Sequence, residues 1–188
     1  MNFETCLGWI ALLGFGAASV AHAAAFAANG VSLGMTQADV QAKFGDKITC
    51  TSRAVTDTDP AQATCVSSVF AQKKQLSDTF AGQKTVIRYH ILDGRVARIS
   101  FLGFPSLAFD AIVRTMESSY GKASVVNKEI GVVVKGKLVD STATWHNGSG
   151  DSIVFDKYSP GNIDRSYLNF YSDAWWKARK ADPGTASP

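Results

Sequence analysis

The stretch GVSLGMTQADVQAKFG, residues 30–45, carries the start and the stop of a short helix and thereby sets the fold of the chain. Thr36 is a strong N-cap residue, and Asp39 follows it at the spacing of a capping box. Val40 and Phe44 lie four positions apart and share one helix face. The glycine after Phe44 favours the left-handed conformation that ends helices. Each notable residue has a structural task, so the stretch predicts a fold element rather than a site.

Strand signals dominate much of the sequence that follows. Residues 85–102, TVIRYHILDGRVARISFL, predict a β-hairpin in which apolar residues alternate with polar ones. The apolar sets of the two arms share a face only if the connection around Asp93 and Gly94 has an odd number of residues. We therefore expect a three-residue loop with a glycine bulge. The apolar sets are Ile87, Tyr89 and Ile91 on the first arm and Ala97, Ile99 and Phe101 on the second.

A second helix is predicted over residues 105–121, where the amphipathic stripe is clearest. By contrast, residues 50–84 form a mixed polar stretch, in which TSRAVTDTDPAQAT between Cys50 and Cys65 predicts a loop with a turn signal at Asp59-Pro60. The stripe residues are Phe109, Ile112, Val113, Met116 and Tyr120. Strands are predicted after this helix at residues 123–134, 138–146, 152–158 and 166–172.

The two helices divide the chain into two similar halves. Strand patterns follow each helix, so we predict an α+β fold of two helix-plus-antiparallel-sheet units. The helices are expected to pack on one face of the sheet and to leave the other face open. A single domain is expected over residues 24–172, in halves of about 30–103 and 104–172. Residues 173–188 are predicted to form a short C-terminal helix and a disordered tail.

Residues 1–23 have the features of a signal peptide. The apolar run LGWIALLGFGAASVAHA ends in small residues, and cleavage is expected after Ala23 or Ala25. The run is too short and too rich in glycine and alanine for a membrane span. A periplasmic or secreted location follows, with no transmembrane segment after signal removal. No lipid anchor is expected, because Cys6 lies too near the start. The alternative is an apolar N-terminal helix in the core.

Export changes the interpretation of the remaining cysteines. Cys50 and Cys65 are an even pair in an exported chain, which predicts a disulfide. It would enclose a loop of about 15 residues and stabilise the fold by about 3 kcal/mol in the chain-entropy model. A catalytic or metal-binding pair is the alternative, but neither a C-x-x-C spacing nor a nearby histidine supports it.

Catalysis and nucleic-acid binding find little support in the sequence. The net charge is +3 and the basic residues are scattered apart from KARK at 177–180, so no nucleic-acid partner is predicted. His90 and His146 lie on different predicted strands, where a lone histidine is usually exposed or half-buried. GVVVKGKL at 131–138 has the spacing of a phosphate loop but lacks its Ser or Thr. We expect no enzyme activity, no catalytic or metal-binding residues and no cofactor.

LGMTQADV followed by FG and then Cys50 resembles the G-M-T/S-x-x-x-V signature of small bacterial envelope proteins. These are the BamE (SmpA/OmlA) outer-membrane assembly lipoproteins and the similarly folded β-lactamase inhibitor proteins. The likeness covers most of residues 30–172 and implies a tandem helix-plus-sheet repeat. It also implies a cysteine-bounded loop after the first helix. Both families act by binding protein, so the resemblance implies a binding module.

The first candidate for partner contact is the segment between the cysteines. Arg53, Asp57 and Asp59 stand on it, and a loop that is ordered beforehand loses less entropy on binding. In the inhibitor family the corresponding loop reaches into its target, so the resemblance makes this loop a candidate. The alternative is that the loop only stabilises a small domain.

The second candidate is an aromatic set near the C-terminus, which is typical of an interface when exposed. Period two places Tyr167 and Tyr171 opposite the inward residues Leu168 and Phe170. The alternative is that the terminal helix folds back and buries Trp175 or Trp176. The full set is Tyr158, Tyr167, Tyr171, Trp175 and Trp176.

These observations together predict an exported, non-catalytic protein-binding module of the bacterial cell envelope, with an unknown protein partner. One alternative is a secreted or periplasmic inhibitor of a hydrolase that uses the Cys50–Cys65 loop. A second alternative is an uncharacterised envelope enzyme.

Overall fold

The computed structural model describes residues 25–73, 78–132 and 136–179. The predicted signal peptide and residues 180–188 of the predicted tail lie outside these ranges. A small hairpin precedes the first helix, and Phe26 just before it is buried in the core. These first elements are β1 (Ala27–Ala28), β2 (Val31–Ser32) and α1 (Gln37–Phe44).

The first helix begins and ends as predicted. The hydroxyl oxygen of Thr36 accepts the backbone N–H of Asp39 at 3.1 Å. Gly45 has a φ of +56°, in the left-handed region. Val40 is fully buried and Phe44 packs against the same core. The predicted N-cap, buried face and stop of this helix are therefore confirmed.

The mixed polar stretch 50–84 contains strands and a helix that the sequence analysis did not predict, while the loop predicted between the two cysteines is present over residues 53–62. The first strand there has the sequence ITCTS, in which Ile48 and Cys50 alternate toward the core. Its threonines favour a strand, yet it carries few large apolar residues and gives a weak pattern. These elements are β3 (Ile48–Ser52), β4 (Ala63–Ser67), α2 (Ser68–Lys73) and β5 (Asp78–Phe80).

The predicted central hairpin is present as β6 (Gln83–Leu92) and β7 (Arg95–Leu102). Tyr89 pairs with Ile99, so the apolar sets share a face as expected. The expected three-residue loop is wrong. The connection has two residues, Asp93 and Gly94, both with positive φ, which fits a type I′ turn.

The odd residue that the pattern requires lies within β7 rather than in the turn. His90 pairs with Arg98, but the next residue, Ile91, pairs with Val96. Ala97 is therefore the extra residue of a β-bulge. The bulge restores the shared face that a two-residue turn alone would have lost.

The second half follows the sequence prediction closely. Its helix buries Phe109, Ile112 and Met116. Each predicted strand is present, and its ends fall within two residues of the expected ones. These elements are α3 (Phe109–Tyr120), β8 (Ser124–Val132), β9 (Gly136–His146), β10 (Ser152–Asp156), β11 (Tyr167–Tyr171) and α4 (Asp173–Ala178).

Among the described residues, one antiparallel sheet joins both halves, in the order β3-β4-β6-β7-β11-β10-β9-β8, with β5 paired to β6. The last strand of each half, β7 and β11, meet at its centre. The fold is therefore α+β, as predicted.

The two faces of this sheet differ in character. The core face carries Ile87, Tyr89 and Ile99, which join the buried residues of α1 and α3 in one hydrophobic core. The outer face carries the intervening residues, such as His90 and Ser100, because successive side chains of a strand alternate. The prediction that this second face stays open is only partly right, because α4 covers part of it.

Candidate interaction surface

The predicted disulfide is present between Cys50 and Cys65, with an S–S distance of 2.04 Å. The two cysteines are direct cross-strand partners on β3 and β4. Cys65 is fully buried on the core face. The strands continue past the disulfide on both sides, so the irregular part of the predicted loop is limited to residues 53–62.

Polar contacts of its own hold this loop. Arg53 and Asp59 form a salt bridge with an N–O distance of 2.9 Å. The carboxylate of Asp59 also accepts the backbone N–H of Ala61 at 3.3 Å. Asp57 is exposed near the tip. The structure thus joins two of the predicted loop residues to each other and presents the third to solvent.

The end of the loop lies on the outer face, directly beside the C-terminal helix. Ala61 packs with Leu92, Ala97 and Trp175 in a second hydrophobic cluster. The backbone N–H of Gln62 donates to the carbonyl of Ile91 at 2.7 Å. The structure therefore brings the loop and the aromatic helix together, a contact that no local sequence pattern predicts.

The aromatic set is only partly available to a partner. Trp175 is 1% exposed, so the alternative in which the terminal helix folds back is confirmed and Trp175 is not a surface contact. Trp176 is half-buried and donates from Nε1 to Ser152 Oγ at 3.0 Å. Its ring packs on Tyr171 at a centroid distance of 4.6 Å. Tyr158 lies beyond β10, where Lys157 Nζ is 5.7 Å from its ring centroid.

Arg98 connects this aromatic cluster to the polar residues of the outer face. Its Nε donates to Ser100 Oγ at 2.8 Å and to Asn169 Oδ1 at 3.2 Å. Its Nη2 donates to the hydroxyl of Tyr167 at 2.7 Å. The guanidinium carbon also lies 5.0 Å from the ring centroid of Trp175. Arg98 is thus fixed by neutral partners on two strands, β7 and β11, and on α4.

His90 is buried in this network, contrary to the expectation of an exposed or half-buried strand histidine. Ser100 Oγ donates its proton to Asn169 Oδ1 at 2.7 Å, and the same oxygen accepts from Arg98 Nε. Ser100 then accepts the hydrogen of His90 Nε2 at 3.0 Å. Nδ1 is left as a buried acceptor with no hydrogen-bond partner in the described chain. His146, by contrast, is exposed, in line with the sequence expectation.

Electrostatics keep this histidine neutral. Burial lowers the pKa of His90 to about 2, with further contributions from Arg98, Arg53 and Arg88. Burial also lowers the pKa of Arg88, and the charges of Arg53 and Arg98 act in the same direction. The strand register agrees, because His90 pairs with Arg98 on one side and with Thr64, which accepts from Arg53, on the other.

Arg88 is half-buried on β6 and lies over the ring of Phe70 in α2, at 5.5 Å from its centroid. Within the described ranges, no carboxylate lies at salt-bridge distance from Arg88 or Arg98, whereas Arg53 has Asp59. We use the name arginine surface for Arg53, Arg88 and Arg98 together with Tyr167. It is bordered by the loop 53–62 on one side and by α4 on another.

A separate cleft of about 490 Å³ lies on the core side of the first half. Its floor is formed by Ile87 and Tyr89, and Phe44 and Val69 line its walls. This cleft is not continuous with the arginine surface, since Ile87 and Tyr89 face the opposite side of β6 from Arg88.

The described residues contain no group of three or more His, Cys, Asp or Glu side chains placed to hold a metal ion. They also contain no helix with the length and apolar character needed to cross a membrane. Comparisons of the chain with protein-family models, with characterised proteins and with solved structures give no match.

Sequence reasoning missed Arg88, Arg98, Ser100 and Asn169. The available signal was the alternation within β6 and β7, which places every intervening polar residue on one face. The pairing of β7 with β11, which adds Asn169 to that face, has no local sequence signature.

Proposed function

We propose that this protein is an exported, non-catalytic protein-binding module of the bacterial cell envelope, periplasmic or secreted, that binds its partner through the outer face of the sheet. The observation that carries the proposal is the arginine surface, which lies between a disulfide-clipped loop and a docked aromatic helix. Arginine and tyrosine are the residue types that dominate binding energies at protein interfaces.

The geometry supports binding because its side chains are held in place. Arg98 makes hydrogen bonds to Ser100, Asn169 and Tyr167. The salt bridge between Arg53 and Asp59 orders the neighbouring loop. Side chains that are already fixed lose less conformational entropy when a partner binds. This is the arrangement expected of a recognition surface on a rigid scaffold.

The hydrogen-bond pattern argues against the enzyme alternative. A serine next to a histidine suggests nucleophilic catalysis, in which the imidazole must accept the hydroxyl proton. Here Ser100 gives its proton to Asn169, while His90 Nε2 carries a hydrogen. In this arrangement the imidazole does not take up the serine proton, as a general base would. Ser100 is also 1% exposed, which excludes substrate.

Export is supported by the disulfide, since such bonds persist in oxidising compartments. The predicted signal peptide and the resemblance to BamE-like and β-lactamase-inhibitor proteins agree with this location. The inhibitor alternative is favoured by one observation: Asp57 is exposed near the tip of a braced loop.

Site-specific photo-crosslinking in the envelope fraction tests the proposal. A photoreactive phenylalanine analogue at Tyr167 probes the sheet face, and one at Asp57 probes the loop tip. The matched control stands at Arg114, which is exposed on α3, outside the proposed surface. We expect one protein to be captured from both site positions, to be lost on competition with unlabelled protein, and not to be captured from Arg114. Equal capture at all three positions contradicts the proposal.

Variants separate the alternatives once a partner is in hand. Loss of a stable hydrolase complex in Asp57→Ala with Tyr171→Ala unaffected favours the inhibitor. The reverse result favours the sheet-face module. Turnover of a hydrolase substrate that is abolished by His90→Ala or His146→Ala contradicts both and supports an enzyme.

A further inference from the structure

We propose that the arginine surface recognises an acidic segment of the partner protein, with Arg88 and Arg98 as its centre. This inference rests on the proposed binding function and adds the chemistry of the partner. It follows from the placement of the arginines, from the absence of a carboxylate paired with Arg88 or Arg98 among the described residues, and from the aromatic ring of Tyr167 beside them.

The placement follows from the strand register. Arg88 on β6 pairs with Ser100 on β7, and Arg98 lies two residues before Ser100 on the same strand. Arg88 and Arg98 are therefore diagonal neighbours on one face, a relationship that long side chains can bridge. Arg53 reaches the same face, because its Nη1 donates to Thr64 Oγ1 at 3.4 Å and Thr64 pairs with His90.

Within the described part of the chain, no carboxylate balances the charges of Arg88 and Arg98, whereas Arg53 pairs with Asp59. Arg98 bonds only to neutral groups and Arg88 stacks on an aromatic ring. The nearest acid across β11 is Asp156 on β10, which pairs with Tyr167 and accepts a hydrogen bond from Thr142 Oγ1 at 2.7 Å. The half of the outer face over β6 and β7 is thus cationic, and a ligand there must supply negative charge.

A carboxylate-bearing polypeptide fits this surface better than a nucleic acid does. Guanidinium groups match carboxylates in a planar, two-point geometry. Nucleic acids instead require an extended basic footprint, and this chain has a net charge of only +3. Tyr167, half-exposed beside Arg98, offers an aromatic face to the apolar residues of a peptide.

A binding role and a structural role for Arg88 predict different effects of its substitution on the stability of the free protein. Like charges held together on a sheet face destabilise the free protein. Neutralising Arg88 should therefore leave the stability of the free protein unchanged or raise it while weakening binding. If Arg88 served only to pack on Phe70, the same change would lower stability and leave binding unaffected.

The experiment measures binding of a labelled peptide of about twelve residues, rich in Asp and Glu with a few leucines, by fluorescence anisotropy at roughly physiological salt. The proteins are the full mature chain, Arg88→Gln, Arg88→Lys and the matched control Arg114→Gln, which removes the same charge from α3. We expect saturable binding that is weakened about tenfold in Arg88→Gln, partly restored in Arg88→Lys and unchanged in Arg114→Gln. Urea denaturation of each variant gives its stability.

Three results overturn the inference. The first is no saturable peptide binding, and the second is equal weakening by Arg88→Gln and Arg114→Gln. The third is tighter Arg88-dependent binding of a single-stranded oligonucleotide or of anionic phospholipid vesicles than of the peptide. If crosslinking captures a partner and Arg88→Gln does not reduce that capture, the inference of an acidic segment is wrong and the proposed binding function stands. If the acidic peptide binds in an Arg88-dependent way but no envelope protein is captured, the proposed envelope function is wrong and the binding site for an acidic segment stands.

Discussion

The carbonyl oxygen of Ala97 accepts the backbone N–H of Ser172 at 2.8 Å. Ala97 is the bulge residue of β7, and Ser172 is the N-cap of α4. The same alanine packs beneath Trp175 in the outer-face cluster. An irregularity in a central strand therefore fixes where the terminal helix begins and what it covers.

The two neighbouring tryptophans of α4 should differ in their effect on stability. Trp175→Ala empties a fully buried site and should lower the free energy of unfolding by about 3–5 kcal/mol. Trp176→Ala removes a half-buried ring and one hydrogen bond, and should cost about 1 kcal/mol. Urea denaturation of both variants checks this difference, and equal costs would mean that α4 does not dock through Trp175.

Loss of the disulfide should destabilise the protein without preventing folding. The bond spans 15 positions, for which the chain-entropy model gives about 3 kcal/mol. The ladder of β3 and β4 holds the native geometry in its absence. Denaturation of the oxidised and reduced protein measures the difference, and a mass change of two hydrogens confirms which form is present. Identical curves for the two forms would contradict this role.

The neutral buried His90 should make stability depend on pH. Its pKa is about 2 in the folded protein and about 6.5 in the unfolded chain, so the unfolded state binds the extra proton between these values. The contribution of the neutral His90 to the free energy of unfolding is therefore fully present above about pH 6.5. It is lost as the pH drops below that value, by about 2 kcal/mol between pH 7.5 and 5.

Denaturation across that pH range, in which carboxylates stay ionised in the unfolded chain, measures this slope. His90→Gln retains a donor for Ser100 and should remove most of the slope. His146→Gln at the exposed position is the control and should keep it. If the free energy of unfolding of the wild type did not change over this pH range, His90 would bind its proton in the folded protein as it does in the unfolded chain.

The N-cap of α1 should contribute a modest, specific amount of stability. Thr36→Ala removes the oxygen that accepts the N–H of Asp39 and should cost about 1 kcal/mol. Thr36→Ser keeps that oxygen and should cost much less. Thermal unfolding of the two variants checks the order, and a serine as costly as the alanine would point to lost methyl packing instead.

Local sequence patterns predicted the elements whose stabilising contacts are near in the chain. The capped helix at Thr36 and the stripe through Ile112 and Met116 depend on neighbours within a few positions. The faces of β6 and β7 follow from alternation alone. β3 was not predicted, because Thr49 and Thr51 make it polar and its inward side is completed only by pairing with β4.

The candidate surface was harder to predict, because it is built from contacts between distant residues. His90 is buried by Ser100, Asn169 and Trp175, which belong to β7, β11 and α4. Isolated on its strand, it looks like any polar residue on an alternating pattern. Local patterns predict the loop and the aromatic helix separately, but the contact between Ala61 and Trp175 depends on the pairing of β7 with β11.

That central pairing also dictates the order in which the molecule can be completed. β7 ends at residue 102, whereas its partner β11 spans Tyr167–Tyr171 near the end of the described chain. A chain that is synthesised from its N-terminus holds β7 with one unpaired edge until residues 167–171 have also been delivered. Such an edge invites pairing with the wrong strand. The edge of β7 is therefore exposed to such mispairing until β11 is available to cover it.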